Sequence, residues 1–521
     1  MPVASDLVDL PSLLADAARE SPEKLAVVEA GGRGLTWAEL DQEAGRVATG
    51  LGAAGVVAGQ RVALVCPNRL EFVTTYLAVL RAQAVAVPIN PRTTPRELGR
   101  ILLGCAPRLV VADGDTVTSV REAVELAADA GLERAPRVVA IGTTLRPGER
   151  SYDHLRADRA RPVPPVHDLE RLAALLYTSG ATGVPRGAML THRALAANVA
   201  QVAEVDPPMV SGDDVVLGVL PLFHVYGLNA VLGGVLRHRA KLVLTDQFHP
   251  EGTLDLIDDE AVSVVPIAPP VLAAWSGVDL EGRLGPVRLL LSGSAPLDPA
   301  TVEAFVARTG IPVHEGYGLT EAAPVVTSTL CSTASRPGGV GAPLEGVELR
   351  LVDDDDVPAE PGDPGEIQVR GDNLFSGYWP DGDDAPDVDG WWSTGDVGYL
   401  DDAGDLHLVD RVKDLVIVSG FNVYPAEVEG VVAEVEGVRA VAVVGAEDAR
   451  IGEAVVAYVV APDADPVDLA ARVTEHCGRH LARFKVPTRV EVVEALPHTV
   501  TGKVQKGRLR RWERRRADGA L

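Results

Sequence analysis

The run Arg61-Val62-Ala63-Leu64-Val65 is short, apolar and β-branched, and it is followed by a helical pattern over about Arg69–Gln83. A second apolar run, Ala84–Ile89, comes next, then another helical stretch, then Leu109-Val110-Val111. Strands that are apolar throughout are buried on both faces, and helices between them supply crossovers, so the pattern predicts βαβ units in a mostly parallel sheet. Working outward, a second series of this kind runs from about Leu172 to Thr320, with Val287–Leu291 as a buried strand. From about Gly338 the texture changes to Val347–Val352 and Gly365–Gly371 between Gly and Pro punctuation, which predicts an antiparallel, barrel-like piece. After Asp410 a smaller α+β unit runs to the end, and no internal repeat is visible.

The 521 residues exceed one ordinary core, so at least two domains are expected. With 46% hydrophobic and 23% charged residues the chain is too apolar for disorder. Its net charge of −26 opposes nucleic acid as a partner. One basic run, Arg508 to Arg516, reads as a solvated last helix, with an anion-binding patch as the sharper alternative. Cys66, Cys105, Cys331 and Cys477 lack metal or disulfide spacing, which suits a reducing cytosol and a cytoplasmic protein. The acidic first residues do not read as a signal peptide. Val215–Leu236 has the length of a membrane span, but Pro221, His224, Asn229 and Gly233-Gly234 favour a strand, a turn and a buried helix. The acidic runs Asp353–Asp356 and Asp381–Asp389 lack the alternation of a calcium loop and read as solvated.

Leu176-Tyr177-Thr178-Ser179-Gly180-Ala181-Thr182-Gly183-Val184-Pro185-Arg186-Gly187 carries the chemistry. Its glycines free backbone N–H groups, and its hydroxyls add donors, so the loop can wrap a polyphosphate. No Gly-Lys-Ser/Thr occurs, which excludes a Walker A loop; alone, such a segment is a turn more often than a phosphate site. Five further stretches accompany it in order: Pro221-Leu222-Phe223-His224, Gly316-Tyr317-Gly318-Leu319-Thr320-Glu321, Ser393-Thr394-Gly395-Asp396, Asp410-Arg411-Val412-Lys413-Asp414, and Pro497–Lys503.

With these motifs the chain resembles the adenylate-forming superfamily: acyl-CoA synthetases, aryl-CoA ligases (4-coumarate–CoA ligases among them), peptide-synthetase adenylation domains and luciferases. The resemblance implies an AMP-binding domain over residues 1–410 and a mobile domain over 411–521 that carries a catalytic lysine. It implies ATP, Mg²⁺ and coenzyme A as reactants with a small carboxylic acid, and leaves a carrier protein open as the acceptor. Thr178, Ser179, Gly180, Thr182, Gly183 and Arg186 would hold the β- and γ-phosphates, and Thr178 and Glu321 the metal. Thr320 and Glu321 would meet the α-phosphate. Tyr317 and Gly318 would face adenine opposite Gly293-Ser294-Ala295, while Asp396 and Arg411 would bind the ribose. Lys503 would bridge carboxylate and phosphate during attack, and His224 would orient the carboxylate. Lys413 would be the hinge, and Gly420 would line a pantetheine tunnel after rotation.

Two residues depart from the family pattern: Arg186 stands where Lys is usual, and Ala181 where Thr or Ser is usual. By family position the acid pocket is lined by Tyr226, Asn229, Ala230, Gly293, Ala322, Ala323, Pro324 and Val325. None of these is charged, which disfavours amino acids and diacids, although Arg237 and Arg239 keep a diacid open. The small residues leave room for an extended tail, so a medium- or long-chain fatty acid is expected. An aryl or cinnamic acid is the alternative, because Phe223–Asn229 is similar to the hydroxycinnamate ligases. A degenerate nucleotide-binding protein is the competing class, opposed by the retained Glu321, Asp396, Arg411 and Lys503.

Overall fold

The computed structural model describes residues 7–163, 168–178, 185–295, 297–333, 338–353, 356–360, 362–411, 414–418, 421–448, 452–462, 464–481, 483–499 and 502–517. Backbone contacts divide the chain into two compact units. The first comprises Met1–Gly180, Pro185–Glu348 and Arg370–Trp392; the second is built mainly from Leu349–Val369 and Ser393–Leu521. Compactness therefore groups most of the antiparallel piece with the C-terminal segment and does not divide the chain at 410, because Leu349–Val369 and Ser393 onward pack chiefly with one another.

The first unit holds two sheets. One runs, edge to edge, Arg150–Ser151, Arg137–Ala140, Leu109–Ala112, Arg61–Val65, Val85–Pro88, Leu172–Thr178 and Arg186–Thr191. All its pairings are parallel except the last. The other has nine strands; its centre runs Val313–Gly318, Leu289–Ser292, Val264–Ile267, Val215–Gly218, Lys241–Leu244 and Leu25–Glu29, all parallel. Antiparallel strands flank it at both ends. Arg61–Val65 and Val85–Pro88 are buried along nearly their whole length, as a two-sided strand requires.

Helix boundaries follow local chemistry. The helix expected over 69–83 spans Leu70–Arg81, because Arg69 is an extended N-cap and Gln83 adopts φ 55°. Thr36 with Glu39, and Thr94 with Glu97, form capping boxes that start the helices Trp37–Ala53 and Pro95–Cys105. Val215–Leu236 resolves into the strand Val215–Gly218, a wide helical turn over Tyr226–Val231 and the start of the helix Leu232–His238. Among the described residues no helix is long and apolar enough to cross a membrane.

In the second unit, Val347–Val352, Gly365–Gly371, Trp392–Leu400 and Leu406–Arg411 form a four-stranded sheet, most of whose residues belong to this unit. A further sheet includes Val416–Val418, Ala440–Asp448, Gly452–Val460 and Arg489–Val492. The helices Pro425–Ala433 and Pro466–His480 pack on it through Val428, Val432, Leu469, Val473 and Cys477, all fully buried. The basic run lies on the helix Lys506–Ala517, where Arg510 pairs with Asp414 and Arg516 with Glu491.

Candidate active site

In open parallel sheets, ligands gather beyond the carboxyl ends of strands. The sequence-predicted residues of the first unit lie there. Thr178 ends one strand, Pro221–His224 follow Val215–Gly218, Gly293-Ser294-Ala295 follow Leu289–Ser292, and Thr320-Glu321 follow Val313–Gly318.

Thr178 pairs with Arg186 across an antiparallel ladder, so the two bracket the phosphate-loop segment. Ser179, Gly180, Ala181, Thr182 and Gly183 lie outside the described residues. The Arg186 guanidinium lies 3.7 Å from the ring centroid of Tyr378 and bonds the Asp384 carboxylate at 2.7 Å. A planar guanidinium can lie on a ring face and bond a carboxylate through its edge at once, which gives the Arg-for-Lys departure a structural partner.

Glu321 sits on a short 3₁₀ turn, Thr320–Ala322, and is 8% exposed. Its Oε1 accepts a hydrogen bond of 2.5 Å from the Tyr378 hydroxyl, and its carbonyl accepts from the Phe375 N–H. Burial, and then the Glu321 charge, push the Tyr378 phenol well above its usual range, so it stays a donor. A buried carboxylate held by a neutral hydroxyl presents hard oxygens suited to Mg²⁺. One chain of contacts thus runs from Arg186 through Tyr378 to Glu321. Sequence reasoning missed Tyr378 and Asp384; the aromatic, Gly and Pro cluster Gly377–Pro380 was the available signal.

Tyr317 is 7% exposed, and its N–H donates to Thr327 Oγ1 at 3.2 Å. Gly318 is required, since a Cβ there would come within 2.3 Å of the Pro324 carbonyl oxygen. Ser294 and Ala323 hold φ of 75° and 62°, left-handed values that non-glycine residues adopt only where the surroundings enforce them. Two residues before Tyr317, Glu315 is half-buried, and burial raises its carboxyl to about 7. No sequence motif marks it.

The residues expected to line the acid pocket differ in burial. His224, Tyr226, Ala230, Gly293 and Val325 are partly exposed, whereas Asn229, Ala322 and Ala323 are fully buried and Pro324 is buried. Asn229 Nδ2 donates to the carbonyls of Leu195 (3.0 Å) and Ala323 (2.7 Å), and Asn373 Nδ2 to that of Ala322 (2.8 Å). These bonds use the Asn229 amide N–H groups and leave its Oδ1 buried without a hydrogen-bond partner. The Tyr226 ring lies so near Gly293 that a Cβ there would sit 3.1 Å from it. The Tyr226 hydroxyl leans on the Leu291 carbonyl at 3.4 Å. His224 Nδ1 accepts from the Tyr226 N–H at 3.3 Å, and burial lowers its imidazole to about 4.

In the second unit, Asp396 and Arg411 stand directly opposite one another across the ladder of Trp392–Leu400 and Leu406–Arg411. Asp396 is 7% exposed, and its N–H donates to Thr394 Oγ1. Lys503 is exposed on a turn in which Thr499 N–H donates to the Lys503 carbonyl, and Lys503 N–H to Thr499 Oγ1. Gly502 supplies the turn's positive φ of 85°. Lys413 and Gly420 lie outside the described residues.

Loops gathered at the carboxyl ends of parallel strands, with a buried carboxylate among them, are the arrangement of an α/β ligand-binding site. The family model for AMP-binding enzyme matches residues 14–379, and that for its C-terminal domain matches 427–503. A feruloyl-CoA synthase of an Amycolatopsis species is 36% identical over 504 residues, covering 95% of this chain and 97% of the relative. A long-chain-fatty-acid–CoA ligase of Salmonella typhimurium is 34% identical over 500 residues, covering 89% and 87%. The crystal structure of ATP-bound MatB from Rhodopseudomonas palustris matches with TM-score 0.87 at 33% identity, over 97% of this chain and 99% of that one. The chain belongs to the AMP-binding enzyme family. It is an adenylate-forming acid–thiol ligase that uses ATP, Mg²⁺ and coenzyme A.

Proposed function

We propose that the protein activates a planar aryl or hydroxycinnamic-type acid and transfers its acyl group to coenzyme A. In the first step a carboxylate oxygen attacks the α-phosphorus of ATP, the bond to the bridging oxygen breaks, and pyrophosphate leaves. In the second, the thiol sulfur of coenzyme A attacks the acyl carbon, AMP leaves, and the thiol proton passes to solvent. Arg186 and the loop it closes hold the departing phosphates, while Thr320 meets the α-phosphate. Glu321 and Thr178 are the residues that would hold Mg²⁺, which offsets phosphate charge when bound. Tyr317 and Gly318 flank adenine against Gly293-Ser294-Ala295, Asp396 and Arg411 take the ribose hydroxyls, and Lys503 bridges the reacting groups. A domain of residues 411–521 pivots at Lys413 between the steps, carrying Lys503 away and the Gly420 loop in.

The observation that carries the substrate class is the pinned Tyr226 ring beside Gly293. Sequence alone favours a fatty acid because small residues were expected at an open floor. Ala322 and Ala323 are fully buried, with their carbonyls held by Asn373 and Asn229, so the accessible positions are Tyr226, Ala230, Gly293 and Val325, one of them an aromatic ring, which supports a flat acyl group. The feruloyl-CoA synthase likeness supports the same reading. Measured across butyrate, octanoate, palmitate, benzoate and 4-coumarate, kcat/KM should peak on coumarate. A fatty-acid enzyme would instead gain with each methylene, since each buried CH₂ contributes about 0.8 kcal/mol. A rise through palmitate would overturn the aryl assignment.

His224 acts as a neutral donor and not as a base. With Nδ1 accepting from the backbone, Nε2 carries the hydrogen and points its dipole at the acid's carboxylate. Because the folded imidazole titrates below its unfolded value of about 6.5, the unfolded chain binds the proton first, and this group's contribution to stability falls as pH drops toward 4. Between about pH 5 and 8 the adenylation profile should have the same shape in wild type and His224→Ala. An ionisation near 6.5 that vanishes in the variant would contradict the assignment.

A further inference from the structure

The second unit carries a cluster that the ligase reaction does not use. His476 and His480 lie one turn apart on the helix Pro466–His480, and Glu434 caps the C-terminus of Pro425–Ala433. Their ligand atoms all lie within 4.8 Å of one another, and the imidazole centroids are 4.2 Å apart. His476 Nε2 is 2.9 Å from Glu434 Oε2. His480 Nδ1 donates to the His476 carbonyl at 2.8 Å, which fixes its tautomer and leaves the Nε2 lone pair as its ligand atom. The two helices are already held together by Val428, Val432, Leu469, Val473 and Cys477. One turn earlier, Arg472 Nη1 donates to the Glu436 carbonyl at 2.8 Å. The cluster is thus pre-set by a packed core and does not rest on mobile side chains alone.

We propose that Glu434, His476 and His480 form a binding site for one borderline divalent transition metal, Zn²⁺ above all, which staples these two helices together. Two imidazoles one helical turn apart, with a carboxylate from a neighbouring element, is a donor set for Zn²⁺, Ni²⁺ or Co²⁺ and a poor one for Mg²⁺. Zinc–ligand bonds of about 2.0–2.2 Å require the three atoms to close by small rotamer changes, which the half-buried His476 and the exposed His480 and Glu434 permit. Binding takes the His476 Nε2 lone pair, so that ring's proton moves to Nδ1, and water completes the tetrahedron. The site lies apart in sequence from Thr178 and Glu321, and its ligand chemistry differs from theirs.

The test is titration calorimetry of the full chain with ZnCl₂, without nucleotide and in millimolar-excess MgCl₂. One ion per chain is expected, with a rise in the melting temperature of the C-terminal unit followed by hydrogen exchange. His476→Gln with His480→Ala should weaken binding by at least about 100-fold, since even outer-shell losses cost 10- to 100-fold. That variant should keep wild-type ligase activity in zinc-free buffer, which shows that it folds. Glu321→Gln should bind Zn²⁺ as the wild type does. No binding by the wild type, undiminished binding by the double variant, or loss in Glu321→Gln would each overturn the proposal.

Discussion

Lys503→Ala is expected to abolish acyl-adenylate formation while leaving thioester formation from supplied acyl-adenylate nearly intact. Attack of one anion on another builds charge on the phosphoryl oxygens, and a fixed cation touching both reactants lowers that barrier most. Losing one such donor typically costs about 10²–10³ in rate, and a bridging lysine can exceed that. The turn that presents Lys503 is closed by Thr499 through backbone and hydroxyl bonds and needs Gly502 at positive φ. Truncating the exposed side chain leaves that turn whole, so fold and ATP binding should persist. Pyrophosphate exchange reads the first step, and acyl-CoA production from synthetic acyl-adenylate reads the second. Lys413→Pro should give the mirror image, because it restricts the proposed pivot and not the chemistry. Equal loss of both steps in both variants would sink the division of labour between Lys503 and Lys413.

The fold was legible because strands such as Val62–Val65 and Val85–Pro88 are buried on both faces and read as unbroken apolar runs. Less legible was Tyr226–Val231, whose wide helical turn has no periodic signature in six residues. Motif order placed the strand-end loops, although the need for Gly318 comes from the Pro324 carbonyl beyond the motif Gly316–Glu321. The burial of Asn229 was not legible. Family position puts it at the acid pocket, and only the fold shows its amide N–H groups bonded to the Leu195 and Ala323 carbonyls. Tyr378 and Asp384 escaped for a related reason. They reach Glu321 and Arg186 from a segment more than fifty and nearly two hundred residues away, respectively, and no spacing rule spans such distances.

That long-range contact gives the second large effect. Glu321→Gln should lower adenylation by about 10²–10³ and raise the Mg²⁺ concentration needed for half-maximal rate, because a neutral amide is a far weaker ligand for a hard cation. Tyr378→Phe removes only the 2.5 Å hydrogen bond that aims the carboxylate. A bond to a charged group is worth about 1.5–3 kcal/mol, so a loss of about 10- to 100-fold is expected, together with a shifted Mg²⁺ requirement. The phenyl ring still offers Arg186 a stacking face, which confines the change to the hydroxyl. If Tyr378 works through Glu321, the double variant should be no slower than Glu321→Gln alone. Purely additive losses, or a Tyr378→Phe variant with an unaltered Mg²⁺ dependence, would show that the tyrosine serves only the fold.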